Sequence, residues 1–181
     1  MANITDPWGH RLNHVELVYR PGERERTKKI FETLGLLVTD TGGPYLNIDI
    51  DPSSPAGYNN VVFASEVTPQ QWAFEQQLQQ SIASGGEMAN SFGAFQANMQ
   101  EVPYLSTHFG IRLSLDDMEA TVARLEALDD PDLEGRLSIS AQFGPGSLTP
   151  TLLQAWVKTD VFAAGLITVG QHIELQADTK A

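Results

Sequence analysis

Apolar and polar residues alternate in three short stretches: Leu12-Asn-His-Val-Glu-Leu-Val-Tyr19, Ser106-Thr-His-Phe-Gly-Ile-Arg-Leu113 and Gly170-Gln-His-Ile-Glu-Leu-Gln176. A period of two predicts strands with one face in a core, because successive side chains point to opposite sides. In the first, Val15, Leu17 and Tyr19 share one side, and His14, Glu16 and Val18 the other. In the second, Phe109, Ile111 and Leu113 oppose His108, Gly110 and Arg112. In the third, Ile173 and Leu175 oppose His172, Glu174 and Gln176. Each strand thus pairs a greasy face with one that carries imidazoles or carboxylates.

After the first two stretches the period changes to that of a helix. Residues 23–34 place Ile30, Phe31 and Leu34 on one stripe, with Gly35 positioned to end the helix. Residues 114–128 begin at a capping Ser114 and carry a core stripe of Leu115, Met118, Val122, Leu125 and Leu128. Three strand candidates follow each helix: 35–41, 45–51 and 60–66, then 136–143, 152–162 and 172–176. Turn signals separate them, among them Gly42-Gly-Pro44, the loop 51–57 and Gly144-Pro-Gly146. Strand, helix, strand, strand, strand therefore occurs twice, an α+β pattern of two βαβββ units of about 90 residues each and the mark of an internal duplication.

Residues 67–105 interrupt the repeat. Thr68 caps a glutamine-rich helix with Pro69 in its first turn, and Trp72, Leu78 and Ile82 are the expected buried side. Gly85-Gly86 ends it, and Met88 to Met99 reads as a second short helix. So much local structure is unlike a flexible linker, and the insertion is a lid, a brace or a dimer contact. The expected division is 8–66, 67–105 and 106–178.

Composition narrows the function. With 23 acidic and 11 basic residues the net charge is −12. That opposes nucleic-acid binding, which needs a basic surface. No stretch is apolar enough for a bilayer span, and the start of the chain lacks the pattern of a signal peptide, so a cytoplasmic protein acting on a small molecule is expected. There are no cysteines, so any metal must be held by nitrogen and oxygen. Of four histidines, three lie on the polar strand faces, and His10 precedes the first strand.

These residues and their order resemble the vicinal oxygen chelate superfamily, which includes glyoxalase I, bleomycin-resistance proteins and extradiol dioxygenases. The motifs are Asn13-His-Val-Glu-Leu, Thr107-His-Phe-Gly-Ile and Gly170-Gln-His-Ile-Glu-Leu175. The resemblance implies that the two modules form a cupped mixed sheet, and that His14, His108 and Glu174 hold one divalent ion per chain. Two imidazoles and one carboxylate leave positions open for water, O2 or a bidentate substrate, a set associated with non-haem Fe(II). Fe(II) or Mn(II) is favoured, and Zn, Ni or Co is compatible. The resemblance also implies a homodimer.

The departures shape the expected chemistry. A glyoxalase takes a further Glu from the last strand of its first unit. Here that strand offers Val62 and Ala64 on the face assigned to the site, with Glu66 only at its end. The segment before Glu174, Val161-Phe-Ala-Ala-Gly-Leu-Ile-Thr-Val169, lacks the tyrosine that ring-cleaving relatives carry beside the metal. His172 and Glu16 are candidates to orient a ligand or move a proton, or are solvated positions. Arg112 is a candidate for a substrate carboxylate or enolate, or a partner for Glu16. Tyr45 and Tyr104 are further acid–base candidates, whereas Trp156 and Phe143 are expected in the core. The reading leans to a ring-cleaving dioxygenase. Alternatives are a metal-dependent lyase or isomerase, and a metal-free protein that sequesters small molecules.

Overall fold

In the first strand, β1 (His14–Tyr19), Leu17 and Tyr19 are buried while His14 and Glu16 are exposed, as alternation requires. The computed structural model describes residues 14–51, 60–147, 149–163 and 171–178. Within 171–178 it describes the backbone and, of the side chains, only Ile173 and Leu175. His10, the start of the first stretch at Leu12, and the loop beyond Asp51 lie outside the described residues.

The remaining elements are α1 (Arg24–Thr33), β2 (Leu37–Thr39), β3 (Tyr45–Asp49), β4 (Val61–Glu66), α2 (Pro69–Ala83), α3 (Gly86–Glu101), a 3-10 turn at Pro103–Leu105, β5 (His108–Arg112), α4 (Leu115–Glu126), β6 (Leu137–Phe143), β7 (Leu152–Thr159), β8 (Phe162–Ala163) and β9 (Gln171–Asp178). The chain is α+β, with a βαβββ unit on each side of a helical insertion. The strands form two mixed sheets, ordered β2-β3-β4-β1-β8 and β5-β9-β7-β6. In both units the first strand pairs parallel to the last, and the intervening pairs are antiparallel.

Local signals act where the side chains dictate. Helix α1 ends in a Schellman motif: the Gly35 and Leu36 amides donate to the Glu32 and Phe31 carbonyls, and Gly35 has φ +85°, a conformation costly for any residue with a Cβ. The hydroxyls of Thr68 and Ser114 accept from the Gln71 and Asp117 amides at 3.2 and 3.1 Å. Each N-cap is worth about 1 kcal/mol. One core joins the units, with Ile30, Phe31 and Leu46 from the first and Ile111, Leu133 and Ile173 from the second. Helices α1 and α4 meet through Arg124, which donates to the Thr33 carbonyl at 3.0 Å.

The expected strand over 152–162 breaks in two. Beyond Thr159 the Asp160 carboxylate pairs with Arg20 at 3.3 Å and with Arg136. The Val161 carbonyl accepts from the Arg20 amide at 2.9 Å. These contacts pull the chain off the second sheet, and β8 joins the first sheet antiparallel to β1, Tyr19 opposite Phe162. The insertion also departs from its expected packing. Trp72, Leu78 and Ile82 are only half-buried, and the buried residue of α2 is Glu75, which accepts from the Gln71 side chain at 3.0 Å.

An ion pair ties the start of α1 to the β2–β3 turn. Arg24 donates to Asp40 at 2.6 and 3.0 Å, and the Gly42 amide donates to the same carboxylate at 2.8 Å. The Arg24 bond, then the Gly42 amide, hold Asp40 down at about 2, below its ordinary 3.8. A depressed carboxylate stabilises the fold above its unfolded pKa and loses that contribution as pH falls through the folded value. Asp40→Asn is therefore expected to lose stability at neutral pH and to lose less than the wild type between pH 4 and 2. Parallel urea titrations at pH 7, 4 and 2 would show it; curves displaced equally at every pH would contradict it.

Candidate metal and substrate site

The ladders determine which residues share a face. On the first sheet, His14, Glu16 and Val18 of β1 stand opposite Val61, Phe63 and Ser65 of β4. Asn47 and Asp49 of β3 continue the same rows. Val62 and Ala64 point the other way and are fully buried in the core, so the face of β4 assigned from sequence was inverted. An unbroken apolar run, Val61-Val-Phe-Ala64, carries no alternation from which to choose a side. The face beside His14 still offers no carboxylate from β4: the Glu66 carboxylate accepts from the Gly22 amide at 2.9 Å.

On the second sheet, His108, Gly110 and Arg112 of β5 stand opposite His172, Glu174 and Gln176 of β9. Across β9, Lys158 pairs with His172 and Trp156 with Glu174. The rings of His108 and Trp156 meet edge to face, centroids 4.5 Å apart, so the fully buried Trp156 lies on the histidine face and walls it from behind. Lys158, two residues on, shares that side.

His14 and His108 line one cavity of about 290 Å³, together with Ile50, Asn60, Phe109 and Gly110. Consecutive residues from β1 and from β5 contribute, so the cavity abuts the edges of the two first strands where they begin. Asn60 is the one non-glycine residue with positive φ (62°) among the described residues, a conformation that Asn tolerates better than most. The His108 Nδ1 lies 2.7 Å from the Ser106 carbonyl. A carbonyl only accepts, so Nδ1 carries the proton, and in the neutral ring Nε2 carries the lone pair. That arrangement suits a ligating imidazole whose other nitrogen is anchored to the backbone. His14 lies against Phe63, centroids 5.5 Å apart.

The other candidates are more scattered. Glu174 pairs with Gly110, which itself lines the cavity, so the ladder sets the Glu174 backbone about 4.8 Å from the cavity wall. The side chains of Glu174 and His172 lie outside the described residues. Among the described residues no three of His, Asp and Glu form a ligand group. Glu16 is exposed and accepts from the Ser65 hydroxyl. Arg112 is exposed and stands about 13 Å along β5 from His108. Tyr45 and Tyr104 pack edge-on against Phe63 and Phe143.

Sequence reasoning placed Trp156 in the core without its place on the histidine face of the second sheet, and missed Lys158 on that face and Phe63 on the histidine face of the first sheet. Only the pairing of β7 with β9 and of β4 with β1 reveals them. A larger cavity, about 400 Å³, lies between α4 and β6–β7 and is lined by Met118, Val122, Phe143 and Leu153 with Glu119 and Glu126. It holds no imidazole, so the chemistry favours the smaller one.

No family model matches the chain, and no curated protein matches it. Two solved structures are similar over 93% of both chains: one described as oxidase ChaP-H2, 11% identical with a TM-score of 0.45, and a hypothetical protein SA1046 from S. aureus, 12% identical with a TM-score of 0.42. At these values neither likeness bears on what this chain does. No helix among the described residues is long and apolar enough to cross a membrane.

Proposed function

We propose that the chain is a metal-dependent enzyme that holds one divalent ion between His14, His108 and Glu174 and acts on a small substrate with vicinal oxygens. Ring cleavage of the extradiol dioxygenase kind is the leading reaction, with lyase or isomerase chemistry beside it. The observation that supports this most is the meeting of His14 and His108, from equivalent strands of the two units, at one cavity, with His108 in the tautomer a ligand needs. The donor set fits Fe(II) or Mn(II) and accommodates Zn, Ni or Co.

A bound divalent ion would supply Lewis acidity toward two neighbouring oxygens. The chain's own residues do the rest. Phe63 and Trp156 pack against the His14 and His108 rings and limit where the two imidazoles can lie. Lys158, beside His172 in the ladder, attracts an anionic oxygen, and Arg112 takes only a distal carboxylate because of its distance. His172 or Glu16 moves the proton released when a hydroxyl of the substrate ionises.

Metal analysis of untagged protein tests the reading. One divalent ion per chain is expected, lost in His14→Ala and in Glu174→Ala. Folded wild type that carries no metal, and that gains no thermal stability from Fe(II), Mn(II), Zn(II) or Ni(II), would overturn it. O2 uptake with a panel of catechols then separates ring cleavage from the alternatives. A metal-free binding protein is the second reading, supported by the apolar cavity beside α4.

A further inference from the structure

The cavity between α4 and the end of β6 and start of β7 takes no part in the metal chemistry. Its volume is about 400 Å³, within the range of small-molecule sites and far above the voids that packing leaves in an interior. Small residues on its wall keep it open. Ala123 lines it from α4, and on the opposite side a Cβ added to Gly144 would meet nothing within 4 Å. Met118, 3% exposed, supplies an apolar wall together with Val122, Leu153 and Phe143.

Charge selects the occupant. Glu119 and Glu126, both exposed, line the same cavity. Two helical turns apart, they share with Ala123 one stripe of α4. Neither forms an ion pair with a described residue. The Glu126 carboxylate accepts from the Gln142 side chain at 3.3 Å, and an ionised carboxylate has room for further donors. No described lysine or arginine lines the cavity. Arg124, the one cation of α4, is bonded instead to the Thr33 carbonyl and the Thr121 hydroxyl. An anion is repelled by this rim, and a plain hydrocarbon leaves the carboxylates unanswered. We propose that the cavity binds a small organic cation, with its ammonium group at the two glutamates and its apolar ring or short chain against Met118 and Phe143. This binding holds whether the chain is the metal enzyme or the metal-free binding protein, and metal content, measured separately, decides between those.

Amide chemical shifts of the full chain, titrated at pH 7 with phenethylamine, phenethyl alcohol and phenylacetate, test it. The three probes carry the same ring and differ in charge. Phenethylamine is expected to move amides of α4 and of residues 142–144 and 153–154. It should bind about tenfold more tightly than the alcohol, the effect of one charge contact at a partly exposed rim, and phenylacetate should leave these amides unmoved. Glu119→Gln combined with Glu126→Gln is expected to abolish the preference for the amine while the alcohol binds as before. Should that variant misfold, about 0.5 M salt on the wild type decides in its place: a preference lost supports the glutamate rim, and a preference kept overturns it. Equal affinity for amine and alcohol, a preference that survives in the folded glutamine variant, shifts centred on His14 and His108, or no shift with about 10 mM of any probe would each overturn the proposal.

Discussion

Replacing Trp156 with alanine is expected to lower folding stability by about 3–5 kcal/mol, the range for truncating a fully buried aromatic. Trp156 has no exposed surface, and its neighbours in the ladder are Glu174 on one side and Ala141 on the other. None of these can swell to fill an indole-sized void. Its ring also limits where the His108 imidazole can lie, with planes 69° apart, so the loss reaches the site. Trp156→Phe keeps an aromatic edge toward His108 and is expected to recover more than half of the lost stability. Urea midpoints for the three proteins measure the first effect, and metal titration of the folded variants the second. A Trp156→Ala protein within about 1 kcal/mol of the wild type would show that this wall is not packed as described.

Phe162→Ala is expected to cost about 3–4 kcal/mol and to change how the chain unfolds. Phe162 is 2% exposed and packs on Phe31 of α1, centroids 5.7 Å apart. It comes from the second unit but occupies the first unit's sheet. Truncation removes an aromatic contact by which the second half packs on the first, so the wild type should unfold in one transition and the variant in a broader or split one. Tryptophan fluorescence and far-ultraviolet circular dichroism followed through the same urea series report this. Coincident, steep curves for the variant would mean that the halves are coupled chiefly through the remaining shared core.

These two residues also mark where the sequence stops being readable. The first strand, the Gly35 stop, the caps at Thr68 and Ser114, and the duplicated order are all local, set by residues within a turn or two of one another. The break at Asp160 depends on Arg20, 140 positions earlier, and nothing within the run 152–162 signals it. Trp156 was assigned to the core because it is apolar. It is indeed buried, but on the histidine face, since β7 is covered on both sides. Val61 to Ala64 offered no period from which to choose a face. In α2, apolar residues are spread around the helix, which hid both the burial of Glu75 and the exposure of Phe74.

The candidate site divides in the same way. His14 and His108 were legible because each stands in a strict alternation with core residues. Glu174 was legible as a position on an alternating strand, and its place beside Gly110 follows only from the pairing of β9 with β5. Lys158 gave no sign of its own; its place follows only from which strand lies next to β9.

The borrowed strand β8 makes the two repeats unequal partners. The first sheet is completed by a donor segment encoded more than ninety codons downstream of its last native strand, Glu66. A gene split inside the insertion would leave the amino-terminal product with an unpaired edge on β1, open to whichever strand arrives first. The dependence runs one way: the second sheet, β5-β9-β7-β6, is made wholly of its own unit's strands, so only the first half is left incomplete by such a cut.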